Sequence, residues 1–139
     1  MATSISDLTG GLVSKPLVEY DWWKHHMAFL VAVFFVVPMI LTFYAGFSPV
    51  WDYFGVEWIV RFAVNWLLRL IAVLVVVAWV GSLIGYYFDA RYLESVDADW
   101  SPHWMLYTAV HVIPVVGAFI AVPIYVLQRM RHVGLPIFT

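Results

Sequence analysis

The sequence predicts an all-α integral membrane protein with three transmembrane helices and an interfacial amphipathic helix between helices 1 and 2. Composition is the first reason: 64% of the 139 residues are hydrophobic, only 12% are charged, and the mean hydropathy is +0.89. Soluble domains are about half apolar and roughly a quarter charged, and a small soluble domain leaves much of its surface in water. The lengths of three apolar runs and the positions of the aromatic residues are the other two reasons.

The three apolar runs are each long enough for a helix that crosses a hydrocarbon core, which takes about 20 residues. They cover about residues 26–45, 67–88 and 104–127. Helices are predicted because lipid offers no hydrogen-bond partners to backbone groups. The chain therefore divides into a polar N-terminal segment, 1–25, without the features of a cleaved signal peptide, and a single membrane domain, 26–139.

Trp and Tyr residues cluster where these spans would meet the two membrane interfaces, as is typical of spanning helices. One predicted side collects Tyr20, Trp22, Trp23, Tyr86, Tyr87, Tyr92, Trp100, Trp104 and Tyr107, and the other collects Tyr44, Trp51, Tyr53, Trp58 and Tyr125. Basic residues divide three against four between the sides, which slightly favours an external N-terminus and a cytoplasmic C-terminus. The predicted location is the cytoplasmic membrane.

A polar stripe precedes the second apolar run. Four polar residues recur at every fourth position there: Glu57, Arg61, Asn65 and Arg69. Residues at this spacing share one face of a helix. Counting about 20 residues back from Phe88 leaves Glu57 and Arg61 outside the hydrocarbon and Arg69 at its edge. We predict that residues 52–66 form an interfacial extension that anchors the second span.

Small residues at helical spacing predict close packing between spans. Gly81 and Gly85 in the second span, and Gly117 and Ala121 in the third, are each four residues apart. This spacing lets another helix approach closely. We expect the second span to pack on the third, and contact with another copy or another subunit is the alternative. Pro114 lies within the third span and is expected to bend it.

Histidines form the candidate functional site. His103, Tyr107 and His111 share one helix face, and His26 opens the first span on the same predicted side. His111 should lie about 10 Å along the third span, where ionisable groups usually face the bundle interior and mark a pathway. Histidine can transfer protons or bind haem or a metal. The plainer interpretation is an interfacial anchor for His26, a first-turn residue for His103 and a hydrogen-bonded interior side chain for His111.

The charge and the missing residue types exclude several classes of function. A formal net charge of −2 provides no basic surface for nucleic acid. Cysteine is absent, which excludes disulfides, thiolate catalysis and cysteine-ligated metals. The chain contains none of the GxSxG, HExxH, GxGxxG or Walker motifs, so the sequence favours a protein that is not an enzyme.

Three segments, YYFDARYL, DWSPHWMLY and QRMRHVGLP, resemble parts of small multi-span membrane proteins of halophilic archaea. The resemblance covers about the last 55 residues. It implies an archaeal source and a cytoplasmic-membrane location, and it implies no catalytic residue.

The sequence thus predicts a small non-enzymatic membrane protein, either an accessory or scaffold subunit or a homo-oligomer. Its expected partners are the lipid bilayer and itself or another membrane subunit. The alternative is a His-lined pathway for protons, ions or small solutes, or a haem or other redox-cofactor site, centred on His111 with Tyr107, His103 and His26. A membrane-embedded enzyme is the third hypothesis. No cofactor is predicted, although His26 and His111 form one conceivable bis-histidine haem site, and metal binding is left open.

Overall fold

The computed structural model describes residues 17–114 and 116–134, and all regular secondary structure in these ranges is helical. Four helices follow one another in the described chain: α1 (Trp23–Tyr53), α2 (Glu57–Ser95), α3 (Trp104–His111) and α4 (Gly117–His132). Most of the predicted polar N-terminal segment, residues 1–16, lies outside the described residues.

Helices α1 and α2 form a long antiparallel hairpin. With 31 and 39 residues, both are long and apolar enough to cross a membrane. The turn between them contains Gly55 with φ of +66°, a conformation that glycine adopts without steric cost. These two helices include the first two segments predicted as spans.

One local irregularity in α1 has an identifiable cause. The turn Ala32–Val36 is π-helical, and α-helical structure resumes at Val37. Pro38 follows and has no N–H to donate to the carbonyl of Phe34, one turn earlier. The wider turn accommodates that missing hydrogen bond, so proline adjusts α1 without ending it.

The interfacial helix predicted between the first two spans is not a separate element. α1 continues to Tyr53 and α2 begins at Glu57, so residues 57–66 are the first turns of α2 itself. No glycine or proline occurs between Val56 and Gly81, and nothing therefore interrupts the helix between the polar stripe and the apolar run. The stripe extends the second long helix directly.

The prediction of a third continuous span over 104–127 is wrong. The segment forms two short helices, α3 and α4, which fold back on each other between His111 and Gly117. Pro114 disfavours helical structure at the preceding residue and removes a backbone donor. Gly117 then permits a close return, because a Cβ at this position would collide with the backbone carbonyl of Val110.

Both ends of this helical hairpin lie at the same end of the molecule. Trp100, just before α3, stacks on His132 at the end of α4, with ring centroids 5.9 Å apart. Arg129 in the last turns of α4 lies over the ring of Trp23 at the start of α1, 5.7 Å from its centroid. The described residues nearest the two termini therefore lie at one end of the molecule, whereas the prediction placed the termini on opposite sides. The predicted separation of Tyr125 from Tyr86 and Tyr107 is incorrect, because their rings are in contact.

The core occupies only this end of the long hairpin, where α3 and α4 pack against α1 and α2. Its buried apolar members are Phe29, Ala78, Tyr86, Ala118, Ala121, Val122, Tyr125 and Val126. At the other end, no residue of the α-helical segment Val37–Tyr53 is buried. The fold is thus a packed four-helix end continued by a bare two-helix end.

Candidate functional site

Five polar side chains are buried in the packed end, and all four helices contribute to the set. They are His26 from α1, Ser82 and Asp89 from α2, His111 from α3 and Arg129 from α4, each with 3% or less of its surface exposed. Buried polar groups are costly unless they are hydrogen-bonded. The partners of each group therefore indicate whether it is structural or available for a ligand.

Asp89 and Arg129 form a fully enclosed ion pair. Arg129 donates from Nε to Oδ2 of Asp89 at 2.8 Å and from Nη2 to Oδ1 at 3.2 Å. Tyr125 donates its hydroxyl to the same Oδ2 at 2.6 Å, and Arg129 Nη1 donates to the carbonyl of Gly134 at 3.1 Å. Such a two-point arrangement fixes orientation as well as charge. Because each carboxylate oxygen is bonded, this pair is structural.

A second polar group surrounds Tyr86. Its hydroxyl oxygen lies 3.0 Å from Nδ1 of His111, and the hydrogen bond is buried. Its ring contacts that of His26, with centroids 4.7 Å apart. His26 also stacks on Tyr125, with centroids 4.8 Å apart and an interplanar angle of 21°. Tyr86 thus contacts both buried histidines, His111 through its hydroxyl and His26 through its ring.

Three buried atoms at this site lack a hydrogen-bond partner, two in this group and one on Ser82, which lies one helical turn before Tyr86 on α2. Nε2 of His26, Nε2 of His111 and Oγ of Ser82 are buried and unbonded. A buried polar atom left unsatisfied costs about 1–3 kcal/mol, so these atoms require a functional or a structural explanation. They are the atoms on which any role of these side chains beyond packing would depend.

The predicted site residues are only partly brought together. His26 and His111 both reach the Tyr86 group, as the alternative pathway hypothesis requires. Tyr107 is half-buried and stacks on Tyr86, with centroids 5.6 Å apart. His103 is exposed and precedes α3, so it lies outside the buried group.

The predicted packing residues act inside the chain, and the two glycines of α2 face α1, while α2 contacts α3 and α4 through other residues such as Tyr86 and Asp89. A Cβ at Gly81 would collide with the ring of His25, and one at Gly85 would lie 2.9 Å from Cε1 of His26. These glycines therefore bring α2 against α1, whereas packing on the third span was expected. Gly117 supports the α3–α4 turn, and Ala121 is buried in the core at 2% exposure.

The predicted anchor residues lie along the exposed side of α2. Arg61 pairs with Glu57 at 3.6 Å, and Tyr44 donates a hydrogen bond to Glu57 at 2.8 Å. Asn65 and Arg69 are exposed, and the guanidinium of Arg69 lies over the ring of Trp66, 5.2 Å from its centroid. Arg69 thus extends towards the bare end of the hairpin.

The arrangement offers a bis-histidine haem no space between its two predicted ligands. Such a site needs two imidazoles that face each other across the macrocycle. The ring of Tyr86 contacts both His26 and His111, and it fills the region that the macrocycle would occupy. Within the described ranges, no three His, Asp or Glu side chains are grouped to hold a metal ion.

Sequence reasoning missed Tyr86, Asp89, Tyr125 and Arg129. The spacing of these residues could have indicated a shared polar face. Tyr125 and Arg129 are four residues apart on α4, and on α2 Tyr86 lies four residues after Ser82 and three before Asp89. Each set shares one helix face. The three-span topology separated Asp89 from Arg129 by a whole membrane, and their pairing was therefore not considered.

No protein-family model, no curated protein and no solved structure matches the chain.

Proposed function

We propose that the protein is a small non-enzymatic integral membrane protein of the cytoplasmic membrane, acting as an accessory or scaffold subunit or as a homo-oligomer. The observation that carries this proposal is the bare end of the hairpin, where Val37–Tyr53 has no buried residue. Large apolar side chains there, such as Met39 at 65% and Phe43 at 53% exposure, need an apolar environment. A lipid bilayer with neighbouring protein provides one.

The internal polar groups also support a role without catalysis. The Asp89–Arg129 pair is closed by its own hydrogen bonds, so it holds α4 against α2 and exposes no reactive group. Within the described ranges, the remaining Asp, Glu, Lys and Arg residues, apart from Glu57, are exposed. We also propose a source in halophilic archaea, which the sequence resemblance implies.

The proposed topology has two spans and one re-entrant hairpin, with both ends of the described chain on the cytoplasmic side. Lys24, Arg91, Arg129 and Arg131 lie at the packed end, whereas Arg61 and Arg69 are the basic residues of the bare half. Basic residues near span ends favour the cytoplasm. The proposed topology keeps the predicted cytoplasmic C-terminus and moves the N-terminus from the external to the cytoplasmic side.

Isolation in native nanodiscs tests this function. Intact-complex mass should report a fixed stoichiometry, either with a partner subunit or with further copies of the chain. A strict monomer without a partner in native membranes would contradict the proposal.

A second candidate function is a proton or small-solute pathway through the Tyr86 group. The hydrogen bond between Tyr86 and His111 and the unbonded Nε2 atoms of both buried histidines favour it. Proton flux into liposomes should then fall in His111→Phe and remain in His103→Phe, since His103 is outside the group. Liposomes that stay impermeable with the unaltered protein would eliminate this candidate.

A further inference from the structure

Arg69 carries the charge of the polar stripe that no described residue compensates. It is exposed on α2, and none of the ion pairs in the described ranges includes it. Arg61 differs, because Glu57 lies 3.6 Å from its guanidinium. Further along α2, the carboxylate of Asp89 is bound to Arg129. The stripe therefore presents a single uncompensated positive charge, located at Arg69.

The helix beside Arg69 provides no carboxylate. Val37 of α1 lines a common groove with Leu68 of α2, so this part of α1 lies next to Arg69. No Asp, Glu, Lys or Arg occurs in α1 between Lys24 and Asp52, and α3 and α4 pack around the opposite end of the long hairpin. An anion that neutralises Arg69 must therefore come from beyond the described residues.

The unbroken helix α2 gives the depth of Arg69 in the proposed topology. Residues 70–88 carry no charge, and Arg69 and Asp89 flank them at a separation of about 30 Å along the helix axis. A hydrocarbon core has the same thickness, about 30 Å. At the Asp89 end, Trp22 stacks on Phe88 with centroids 5.2 Å apart, as is typical of an interfacial tryptophan. Arg69 then lies at the opposite edge, at the depth of the lipid phosphates.

Two neighbours on α2 prepare Arg69 for a phosphate group. The guanidinium carbon lies 5.2 Å from the centroid of the Trp66 ring, and arginine commonly stacks on an aromatic face while its N–H donors bind phosphate at two points. Asn65 lies one turn before Arg69 and is also exposed; Cβ atoms at this spacing are about 5–6 Å apart. Its amide adds a neutral donor. The two side chains can thus donate to both free oxygens of one phosphodiester.

We propose that Asn65 and Arg69 bind the phosphodiester of an anionic phospholipid in the leaflet at the bare end of the hairpin. This inference rests on the membrane location proposed above. The single uncompensated charge of the stripe selects the lipid class: a headgroup with one net negative charge neutralises Arg69, whereas a zwitterionic headgroup brings a cation of its own. A carboxylate of a partner protein would supply the same charge, but phosphates are present at this depth all around the helix.

Native mass spectrometry tests this site by counting the lipids that each chain retains. The full-length protein is released from nanodiscs that contain equal amounts of an anionic and a zwitterionic phospholipid. Arg69→Gln removes the proposed phosphate ligand, and Arg61→Gln is the matched control, because Arg61 is exposed on the same helix but already paired with Glu57. Both variants lower the charge of the stripe by the same amount, so a difference between them reports the local contact at Arg69.

We expect the natural protein and Arg61→Gln to retain the anionic lipid in preference to the zwitterionic one, and Arg69→Gln to retain roughly tenfold less of it. Equal retention in the two variants, or equal retention of both lipids by the natural protein, would overturn the proposed site. So would a protein from native membranes that is bound by the natural chain and lost only in Arg69→Gln. The same spectra separate this failure from failure of the proposed function: a defined oligomer without selective lipid leaves the function standing, and a strict monomer with selective lipid leaves only the lipid site standing.

Discussion

Arg129 in the last turns of α4 donates two hydrogen bonds to the carboxylate of Asp89 in α2, at 2.8 and 3.2 Å, although the two residues are 40 positions apart in sequence. The pair connects the end of the α3–α4 hairpin to the long hairpin. Tyr125 completes the arrangement from one turn earlier in α4. These bonds join the parts of the chain that build the site around Tyr86.

Removing one member of this pair should strongly destabilise the packed end. Asp89→Asn leaves the Arg129 guanidinium buried with a neutral partner, and breaking a buried pair from one side costs about 3–5 kcal/mol. The free energy of unfolding, measured by denaturant titration in mixed micelles, should fall by that order.

Glu94→Gln is the matched control for this variant. Glu94 pairs with Arg91 on the same helix at 2.9 Å, but both side chains are about half exposed. Exposed pairs contribute about 0–1 kcal/mol, so this variant should be nearly neutral. Equal losses of unfolding free energy in the two variants would show that the Asp89–Arg129 pair stabilises the fold no more than an exposed pair does.

The apolar sequence predicted the two long helices but not the α3–α4 hairpin, and the reason is physical. Length and hydropathy identify a segment that suits lipid, and 104–127 satisfies both criteria whether it crosses the bilayer once or enters and returns. Pro114 and Gly117 were the local signals for a return. Proline also bends continuous membrane helices, so its presence did not decide between the two shapes.

The site was predictable to the extent that it follows helix periodicity. His111 and Tyr107 share a face of α3, and both approach Tyr86 as that spacing requires. The contacts of Asp89 and Tyr125 depend on how two distant segments meet. That relationship follows from topology, which helix periodicity does not specify.

Accessibility of single cysteines distinguishes the two topologies. Glu19→Cys and Val133→Cys lie at the packed end and Tyr53→Cys at the bare end, and all three natural side chains are exposed. A membrane-impermeant maleimide should label the first two from one side of the membrane, the cytoplasmic side, and the third from the other. A continuous third span would instead place Val133 with Tyr53, and that labelling pattern would contradict the re-entrant hairpin.

Two glycines should respond to alanine in opposite directions. Gly117→Ala places a Cβ against the Val110 carbonyl, a backbone atom that cannot move aside, and overpacking of this kind costs about 1–3 kcal/mol. Gly46→Ala, within α1, meets nothing within 4 Å and gains up to about 1 kcal/mol of helix propensity. Thermal unfolding in detergent compares them, and a neutral Gly117→Ala would refute the tight turn.

Loss of the Tyr86 hydroxyl should have a measurable cost, whereas loss of the neighbouring Tyr107 hydroxyl should not. Tyr86→Phe leaves Nδ1 of His111 buried without its 3.0 Å partner, and an orphaned buried group costs about 1–3 kcal/mol. Tyr107→Phe keeps the stacked ring and removes a hydroxyl that makes no described hydrogen bond. The two variants remove the same atom from stacked rings 5.6 Å apart, so a difference in unfolding free energy isolates the bond to His111. Equal stabilities would indicate that His111 finds another partner once Tyr86 is altered, and Tyr86 would then not be the residue that orients the histidine.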